Sequence, residues 1–565
     1  MLMALSLVVG LCTGLAAWVF IRAIEIAQFW PAVPGQSVFL GITLNRFLIV
    51  LIPAVGGLLC GLVIQYGAAS AKGTGTADIM YALRRKDGYL SGRHTFFKAI
   101  ASIFTICSGG AAGPEGPVVS IGAGVGSLIG SIRDMEPEFR KNLMVAGGAA
   151  GFAAVFNAPI AGVLFAIEVL LKEFASQAFA MVILATVTAS VTTHLLMGNR
   201  AFVEVPATYA FNHTWELGFY AILAVFSAIV AKLFVQTYFR IEHSFESLKV
   251  PAAIKPMLGG LLLGLLALAV PYVMGNGHKE IPELILSESI TPWAWKMMLL
   301  LLACKLISCP LTIGSGGTGG IFVPFLLMGA LLGGLTGRGV HLIAPEAASA
   351  GAYMVVGMGA MFAGITYAPF TAIILLFEMT RDYNVILPLM FTVGITVLVA
   401  RALDPESLDS HKLLLKGVRT HEPVELRALE KYHVKQLMSP HVETIPESLP
   451  LPEITDFIAH HTHTGYPVVD AQNKLVGLIS YAELHQAFNG TPTPTGIKKA
   501  GDIMRREIPT AYPEDSLTEA VRRMQHQKAD RVIVLDPAAG TIIGILTKGD
   551  IIGIYRTYLT EDTVV

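Results

Sequence analysis

The stretch SGGAAGPEGPVVSIGAGVGSLIG, residues 108 to 130, holds one charged residue, Glu115, in a glycine-rich and otherwise apolar segment. The whole chain is 53% hydrophobic and only 14% charged, and its mean hydropathy is +0.61. Such a composition is typical of a protein that meets lipid over most of its length. Because a carboxylate is costly to bury in these surroundings, Glu115 indicates a functional position rather than a simple helix cap.

Charge and cysteine usage argue against several other classes of protein. The net charge is -1 and no arm rich in lysine or arginine occurs, so we expect no nucleic-acid partner. The cysteines lie in apolar or glycine-rich runs without CxxC spacing, which argues against a disulfide framework. We also expect no metal site, since a solvated helix end explains His460, His461 and His463.

Apolar segments recur from the N-terminus to about Arg401, and they differ in length. Some are long enough to cross a bilayer, and others are short and bounded by glycine or proline. We therefore expect broken helices, which are tolerated at membrane depth only around a protein-lined or water-filled pathway. The long segments are residues 46–66, 214–240, 253–272 and 384–401, and the short ones lie near residues 115–131, 157–172, 319–337 and 369–380.

An internal repeat divides the apolar region into two homologous halves. At an offset of 207 positions, GPEGP (113–117) aligns with GIFVP (320–324), and the glycine ladder that follows keeps its spacing. At an offset of 210, FNAPIAGVLFAIE (156–168) aligns with TYAPFTAIILLFE (366–378). We predict an all-α polytopic membrane domain with two inverted repeats, in which glycine ladders pack helices closely and paired short helices mark a central substrate site.

Beyond the last apolar segment the composition becomes that of a soluble region. Two copies of one pattern follow each other, with HVKQLMSPHVETIPESLPLPEI (433–454) parallel to KAGDIMRREIPTAYPEDSLTEAV (499–521). Each copy predicts a strand, a helix, two strands and a helix. We expect a membrane domain over residues 1–420, followed by a soluble α/β tandem over residues 431–490 and 497–560.

Three glycine-rich motifs precede apolar helices: KGTGTADIM (72–80), GPEGP (113–117) and GSGGTGGIFVP (314–324). The first N–H groups of such helices lack internal partners and attract anions, and glycine lets the backbone approach closely. The partial charge at a helix end binds an anion weakly enough for release, which suits transport. Glu115 starts one of these helices, so we interpret its carboxylate as a tethered anion that fills the site, with nearby Lys98 adding positive charge.

Other functional classes fit the sequence less well. No glycine motif continues into GK[ST], and none lies in a soluble strand-helix-strand context, so we expect no enzyme activity. Divalent-cation transport would need clustered acidic or amide ligands within the spans. Glu168 and Glu378, the carboxylates at matching positions of the two halves, lie at helix ends and are interpreted as structural.

Taken together, GTGTA, GPEGP, GGIFVP and NAPIAGVLFAIE resemble the motifs of the CLC family of chloride channels and chloride/proton exchangers, and the tail resembles a tandem CBS pair. The resemblance covers nearly the whole chain. It implies a homodimer with a separate chloride pathway in each subunit and no required cofactor. It also implies a gating role for Glu115 and a hydroxyl donor at Thr74. The residues that it assigns to the remaining anion contacts are Gly113, Gly116, Ile321, Phe322 and Val323.

Three departures from the family pattern bear on mechanism. Pro114 replaces a basic residue before the gating glutamate, which removes a positive charge and an N–H donor. Leu408 or Asp409 stands where the family has a tyrosine, so we expect this segment to be displaced and the inner gate to be open or rebuilt. Val169 occupies the position of the inner proton-transfer glutamate.

The lack of a carboxylate at position 169 predicts a channel-like protein, because coupled exchange needs a proton carrier between the cytoplasm and Glu115. Glu173 lies one helical turn beyond Val169 and offers an alternative proton route for a chloride/proton exchanger. A fluoride-preferring relative is the remaining alternative, and Thr74 argues mildly against it.

The tail suggests a regulatory role. In nucleotide-binding CBS pairs a Ser or Thr followed three residues later by Asp holds the ribose, and Thr547 and Asp550 fit this pattern. Adenine-nucleotide binding is one interpretation, and a purely structural dimerising module is the other. Basic residues of an early loop, such as Arg84 and Arg85, mark the cytoplasmic side. We expect a multi-pass protein of the plasma or inner membrane with cytoplasmic CBS domains.

Overall fold

The structure is a computed structural model of the chain. Two compact units are present, Met1–Thr420 and His421–Val565. The structure describes residues 2–27, 38–39, 42–43, 46–132, 135–172, 176–198, 213–286, 294–418, 429, 432–460, 463–489, 499–527 and 529–553.

The first unit is built from α-helices, which confirms the predicted membrane fold. Among the described residues, seven helices are long and apolar enough to cross a bilayer. A short antiparallel pair, β1 (Val38–Phe39) and β2 (Ile42–Thr43), follows the first helix. The helices are α1 (Leu2–Ala27), α2 (Arg46–Tyr66), α3 (Thr76–Arg85), α4 (Gly92–Cys107), α5 (Glu115–Ile132), α6 (Pro137–Phe156), α7 (Pro159–Phe165), α8 (Ser176–Met197), α9 (Glu216–Ser247), α10 (Ile254–Ala269), α11 (Glu280–Leu286), α12 (Trp295–Gly314), α13 (Phe322–Ile343), α14 (Ala350–Thr366), α15 (Pro369–Thr380), α16 (Ile386–Leu403) and α17 (Leu408–Leu415).

Two of the four segments expected to be short instead form long helices. α5 has 18 residues and α13 has 22, because each continues along its glycine ladder after a glycine-rich start. The other two are short as expected: α7 has 7 residues before a π-helical turn, Ala166–Leu171, and α15 has 12. Proline occupies the first helical position of both short helices, where its missing N–H costs no hydrogen bond.

The glycine ladders let helices of each half pack with their backbones in contact. In the first half, a Cβ added at Gly122 on α5 would lie 2.1 Å from the carbonyl oxygen of Gly147 on α6. In the second half, a Cβ added at Gly329 on α13 would lie 2.3 Å from the carbonyl oxygen of Gly357 on α14. These helix pairs are equivalent in the repeat, so the two halves found in the sequence are also present in the packing.

Two carboxylates join the halves reciprocally. Glu168 accepts hydrogen bonds from the backbone N–H groups of Phe370 and Thr371 at 3.0 and 2.6 Å, at the start of α15. Glu378 accepts from two N–H groups at the start of α7, at 3.1 and 2.8 Å. Each half therefore caps a short helix of the other half, which agrees with the structural interpretation of both residues.

The second unit contains two copies of one small α/β pattern, as predicted. In each copy the first strand pairs parallel with the second, and the second pairs antiparallel with the third. Each sheet has its own apolar core, around Val468 in the first copy and Val534 in the second. The elements are β3 (Ile445–Pro446), α18 (Leu451–Ala459), β4 (Gly465–Val469), β5 (Leu475–Ser480), α19 (Tyr481–Asn489), α20 (Ala500–Ile503), β6 (Thr510–Ala511), α21 (Leu517–His526), β7 (Arg531–Leu535) and β8 (Ile542–Thr547).

Replacing Gly147 with alanine is expected to destabilise the membrane unit, because the added methyl group would lie 2.0 Å from the carbonyl oxygen of Gly122. Gly394→Ala is the matched control, since a Cβ at this helical position meets nothing within 4 Å. Thermal unfolding in detergent should show a lower midpoint for Gly147→Ala and a nearly unchanged one for the control. Equal midpoints would contradict backbone contact between α5 and α6.

Candidate functional site

The two halves meet at a pair of equivalent glycines. Gly113 donates its N–H to the carbonyl oxygen of Gly320 at 2.8 Å, and Gly320 donates to the carbonyl oxygen of Gly113 at 2.6 Å. These glycines correspond by the offset of 207 and pair in antiparallel fashion, as expected of inverted halves. α5 and α13 therefore start side by side, the first at Glu115 and the second at Phe322.

Glu115 is fully buried at this junction, with 0% of its surface exposed. Its Oε1 accepts a hydrogen bond from the N–H of Val323 at 3.1 Å, and the N–H of Phe322 faces the same carboxylate. Its Oε2 has no hydrogen-bond partner within the described residues. The carboxylate thus occupies the donors at the start of α13, which is the arrangement expected of a tethered anion.

The backbone groups assigned to an anion fall into two sets. Val323 and Phe322 present N–H groups to the carboxylate, which occupies them in this structure. Gly116 and Ile321 line the space next to it. The assignment of Gly113 as an anion contact is corrected. Gly113 donates its N–H to the opposite half, so this group is not available to an anion. Sequence alone does not show this, since the pairing joins residues 207 positions apart.

A narrow space beside the junction, the Thr74 cleft, is too small to hold a water molecule. Thr74, the predicted hydroxyl donor, lies on this cleft and is 4% exposed. The space beside Thr74 is therefore closed to water. The walls of the cleft include Thr74, Thr76, Gly116, Ile321, Ile365 and Thr366.

A vestibule of about 800 Å³ meets the cleft at Thr74. Lys412 lies on its wall, and Lys412 Nζ donates to the Tyr238 hydroxyl at 2.8 Å and to Thr74 Oγ1 at 3.5 Å. The ammonium also lies 4.4 Å from the centre of the Tyr238 ring, a cation–π distance. Sequence reasoning missed both residues, because only the folded chain brings them beside Thr74.

The position of α17 corrects the expectation that this segment is displaced. Leu408 and Asp409 both line the Thr74 cleft and are 1% and 6% exposed. The ammonium groups of Lys412 and Lys172 act against the negative charge of Asp409. Their positive charge favours the ionised carboxylate, whereas its burial disfavours it.

Lys98 holds the loop that carries Thr74. Its Nζ donates to the carbonyl oxygens of Ala71 and Gly73 at 2.9 and 3.1 Å and lies 3.7 Å from Oδ2 of Asp78. In the described part of the chain, no hydrogen bond or ion pair joins it to the Glu115 carboxylate. Its ammonium therefore holds the glycine loop, and its expected electrostatic effect on Glu115 stays a prediction.

The position of the inner proton-transfer residue lacks an acid. Val169 is 2% exposed and lies in the π-helical turn, next to Glu168, whose carboxylate caps α15. Glu173, the alternative proton carrier, lies outside the described residues, so its role stays a prediction.

A second space, the Asn276 cavity, has a volume of about 290 Å³ and shares no lining residue with the Thr74 cleft. It adjoins the junction through Pro114 and Val323. Sequence reasoning missed the loop GNGHKEI (275–281) on its wall. A signal was present, because GNGHKEI aligns with GTGTADI (73–79) at an offset of 202, which differs from the offsets that revealed the other motifs.

The candidate nucleotide residues of the second unit contact each other. Asp550 Oδ2 accepts from the backbone N–H and the hydroxyl of Thr547 at 2.8 and 2.7 Å. Glu483 accepts from the N–H and hydroxyl of Ser480 in the same way in the first copy. Both pairs lie where a strand ends and a helix begins, so they act as helix caps and are satisfied without a ligand.

Comparison with known proteins agrees with this geometry. The family model described as voltage gated chloride channel matches residues 56–401, and the CBS domain model matches residues 434–490 and 500–556. A protein described as ClcB-like from Ralstonia nicotianae is 34% identical over 395 residues, which cover 69% of this chain and 91% of the relative. An H+/Cl- exchange transporter, ClcA from Yersinia pseudotuberculosis, is 30% identical over 420 residues, which cover 72% and 86%.

A solved structure extends the likeness to the full length of the chain. The crystal structure of a eukaryotic CLC transporter aligns with a TM-score of 0.62 and 21% identity over 97% of both chains, which shows a shared fold. The voltage gated chloride channel model alone covers more than half of the sequence. The chain therefore belongs to the CLC family, is an integral membrane protein of chloride transport, and carries two CBS domains.

Proposed function

We propose that chloride crosses the membrane unit along one line: the vestibule, the Thr74 cleft, the position of the Glu115 carboxylate and the Asn276 cavity. The observation that carries this proposal is the buried Glu115 carboxylate, which takes the Val323 N–H at 3.1 Å between two spaces that share no wall. While the carboxylate stays there, an anion has no access to these donors. Glu115 is therefore the gate of the pathway.

The groups along this line suit an anion that must be bound and released. Thr74 offers a hydroxyl, and the helix start at Phe322 offers N–H groups with partial positive charge. Lys412 adds one full positive charge 3.5 Å from Thr74 Oγ1, and Asp409 opposes it. The net attraction draws chloride from the vestibule without holding it firmly.

Glu115→Ala is expected to raise chloride efflux from proteoliposomes and to remove its pH dependence, because no carboxylate remains to occupy the donors or to titrate. Glu138→Gln is the matched control, since this carboxylate is exposed in the first turn of α6 and lines none of the three spaces. Its efflux and pH dependence should match those of the wild type. If Glu115→Ala also behaves like the wild type, Glu115 is not the gate.

We propose that this transport is channel-like, and the buried, apolar Val169 supports that interpretation. Chloride/proton exchange is the second candidate function, and a specific observation favours it. Asp409 lines the Thr74 cleft at 6% exposure, so an acid does lie between the vestibule and Glu115. A related protein is named as an H+/Cl- exchange transporter.

Reversal potentials in planar bilayers distinguish the two functions. With a fixed chloride gradient, a channel-like protein should keep its reversal potential at the chloride equilibrium value when a pH gradient is added. A shift with pH would overturn the channel-like proposal. In that case Asp409→Asn should abolish the shift, whereas Leu408→Asn, a change on the same cleft, should leave it in place.

We also propose that the CBS pair binds an adenine nucleotide at Thr547 and Asp550. The carboxylate of Asp550 can exchange its contact with Thr547, at 2.7 Å, for the ribose hydroxyls, since both are hydroxyl donors. Isothermal titration calorimetry of the full-length protein with ATP and AMP should give heat that Asp550→Asn removes and Asp536→Asn retains. No heat from the wild type at about 1 mM ligand, equivalent to less than about 4 kcal/mol of binding, would favour the structural module.

The remaining features of the proposal follow the family resemblance. We propose that two copies assemble as a homodimer with one pathway each, without a cofactor and without enzymatic activity. We further propose that the protein lies in the plasma or inner membrane and that its CBS domains are cytoplasmic.

A further inference from the structure

We propose that the Asn276 cavity is a second anion site, built by the second half of the chain as the counterpart of the Thr74 cleft. It binds a small monovalent anion such as chloride, and Asn276 is the side chain that contacts it. The inference rests on the chloride pathway proposed above. It adds a residue and a loop that no family motif marked.

The loops around Thr74 and Asn276 have the same backbone form. Each side chain lies between two glycines of positive φ, 85° and 95° around Thr74 and 68° and 97° around Asn276. Only glycine adopts such angles readily, so both loops hold the intervening side chain in the same way. Each loop is also fixed by one hydrogen bond of 3.0 Å to the glycine-rich segment of the opposite half, from Gly73 N to the Gly317 oxygen and from Gly275 N to the Gly109 oxygen, with the acceptors one position out of register.

A buried lysine clamps each loop in the same way. Lys305 is 0% exposed, and its Nζ donates to the carbonyl oxygens of Val273 and Gly275 at 2.9 and 2.8 Å. Lys98, which is 1% exposed, makes the matching contacts to the Thr74 loop. Lys98 and Lys305 correspond by the offset of 207. A buried ammonium is costly, so its presence under both loops indicates that both must be held in place.

The walls of the two spaces also correspond residue by residue. Six residues of the Thr74 cleft have their repeat equivalents on the Asn276 cavity, each at the offset of its own segment, which is 202, 207 or 210. The fold therefore presents one design twice, once at each side of the Glu115 junction. The pairs are Thr74 with Asn276, Thr76 with His278, Gly116 with Val323, Ile321 with Pro114, Ile365 with Val155, and Thr366 with Phe156.

The chemistry of the second space suits an anion. Asn276 Oδ1 accepts from the His278 N–H at 3.1 Å, so the amide nitrogen is left as a donor, and no described residue accepts from it. Lys279 lies on the same wall and makes no ion pair with a described residue. Glu280 and Glu25, also on the wall, work against binding, and the charge of Glu25 is offset by its ion pair with Arg22 at 2.7 Å.

The test measures chloride transport in planar bilayers while chloride is varied on one side at a time. Asn276→Asp should raise the half-saturating chloride concentration on one side about fivefold or more, because a carboxylate repels the anion and loses the donor. Thr74→Ala should raise it on the opposite side. Asn276→Thr, which places the equivalent residue of the first half at this position, should keep the half-saturating chloride concentration close to that of the wild type.

Two further variants, each of which removes one charge from the cavity wall, keep the test decisive if Asn276→Asp fails to fold. Lys279→Gln should weaken chloride binding on the Asn276 side and Glu280→Gln should strengthen it, whereas Lys296→Gln, on an exposed helix start away from the cavity, should do neither. A purely structural role would not give opposite shifts. The proposal is overturned if these variants shift nothing, shift both sides equally, or shift the Thr74 side. If Thr74→Ala and Glu115→Ala are also without effect, the pathway itself is wrong.

Discussion

The structure depends on the hydrogen bonds that Gly113 and Gly320 exchange across the two halves. Each is the last glycine before a helix start, and each is the repeat equivalent of the other. Two equivalent residues can pair with each other only on the two-fold axis that relates them. The pairing therefore brings the starts of α5 and α13 to the centre of the unit. The donors of these starts then meet at one place, which a single helix end could not provide.

The cost of burying charge explains what surrounds this centre. A carboxylate within an apolar unit must be paired, hydrogen-bonded or functional. Glu168 and Glu378 are hydrogen-bonded, because each caps a helix of the other half. Lys98 and Lys305 are satisfied by loop carbonyl oxygens. Glu115 differs from all four, since its Oε2 has no partner among the described residues. That difference is consistent with the proposed role of Glu115 as the gate.

Much of this arrangement was predictable from sequence, because the motifs around Glu115 and the repeat are local patterns. The fold and the start of α5 at Glu115 follow from glycine spacing and helix-start chemistry, and the place of Thr74 was implied by the family resemblance. The features that sequence reasoning missed depend on contacts between residues far apart in the chain. Lys412 reaches Thr74 from 338 positions away. Gly113 loses its N–H to the opposite half, and the displaced segment expected near Asp409 instead packs as α17 against the cleft.

The two halves share nearly the same backbone framework but differ in their side chains at the centre. The proposed gating depends on this difference. The equivalent of Glu115 in the second half is Phe322, an apolar residue. Two carboxylates at adjoining helix starts would repel each other and compete for the same donors. With one carboxylate and one phenylalanine, a single charge occupies the donors of the opposite helix. Symmetry therefore assembles the site, and the proposed gating by Glu115 depends on this one broken equivalence.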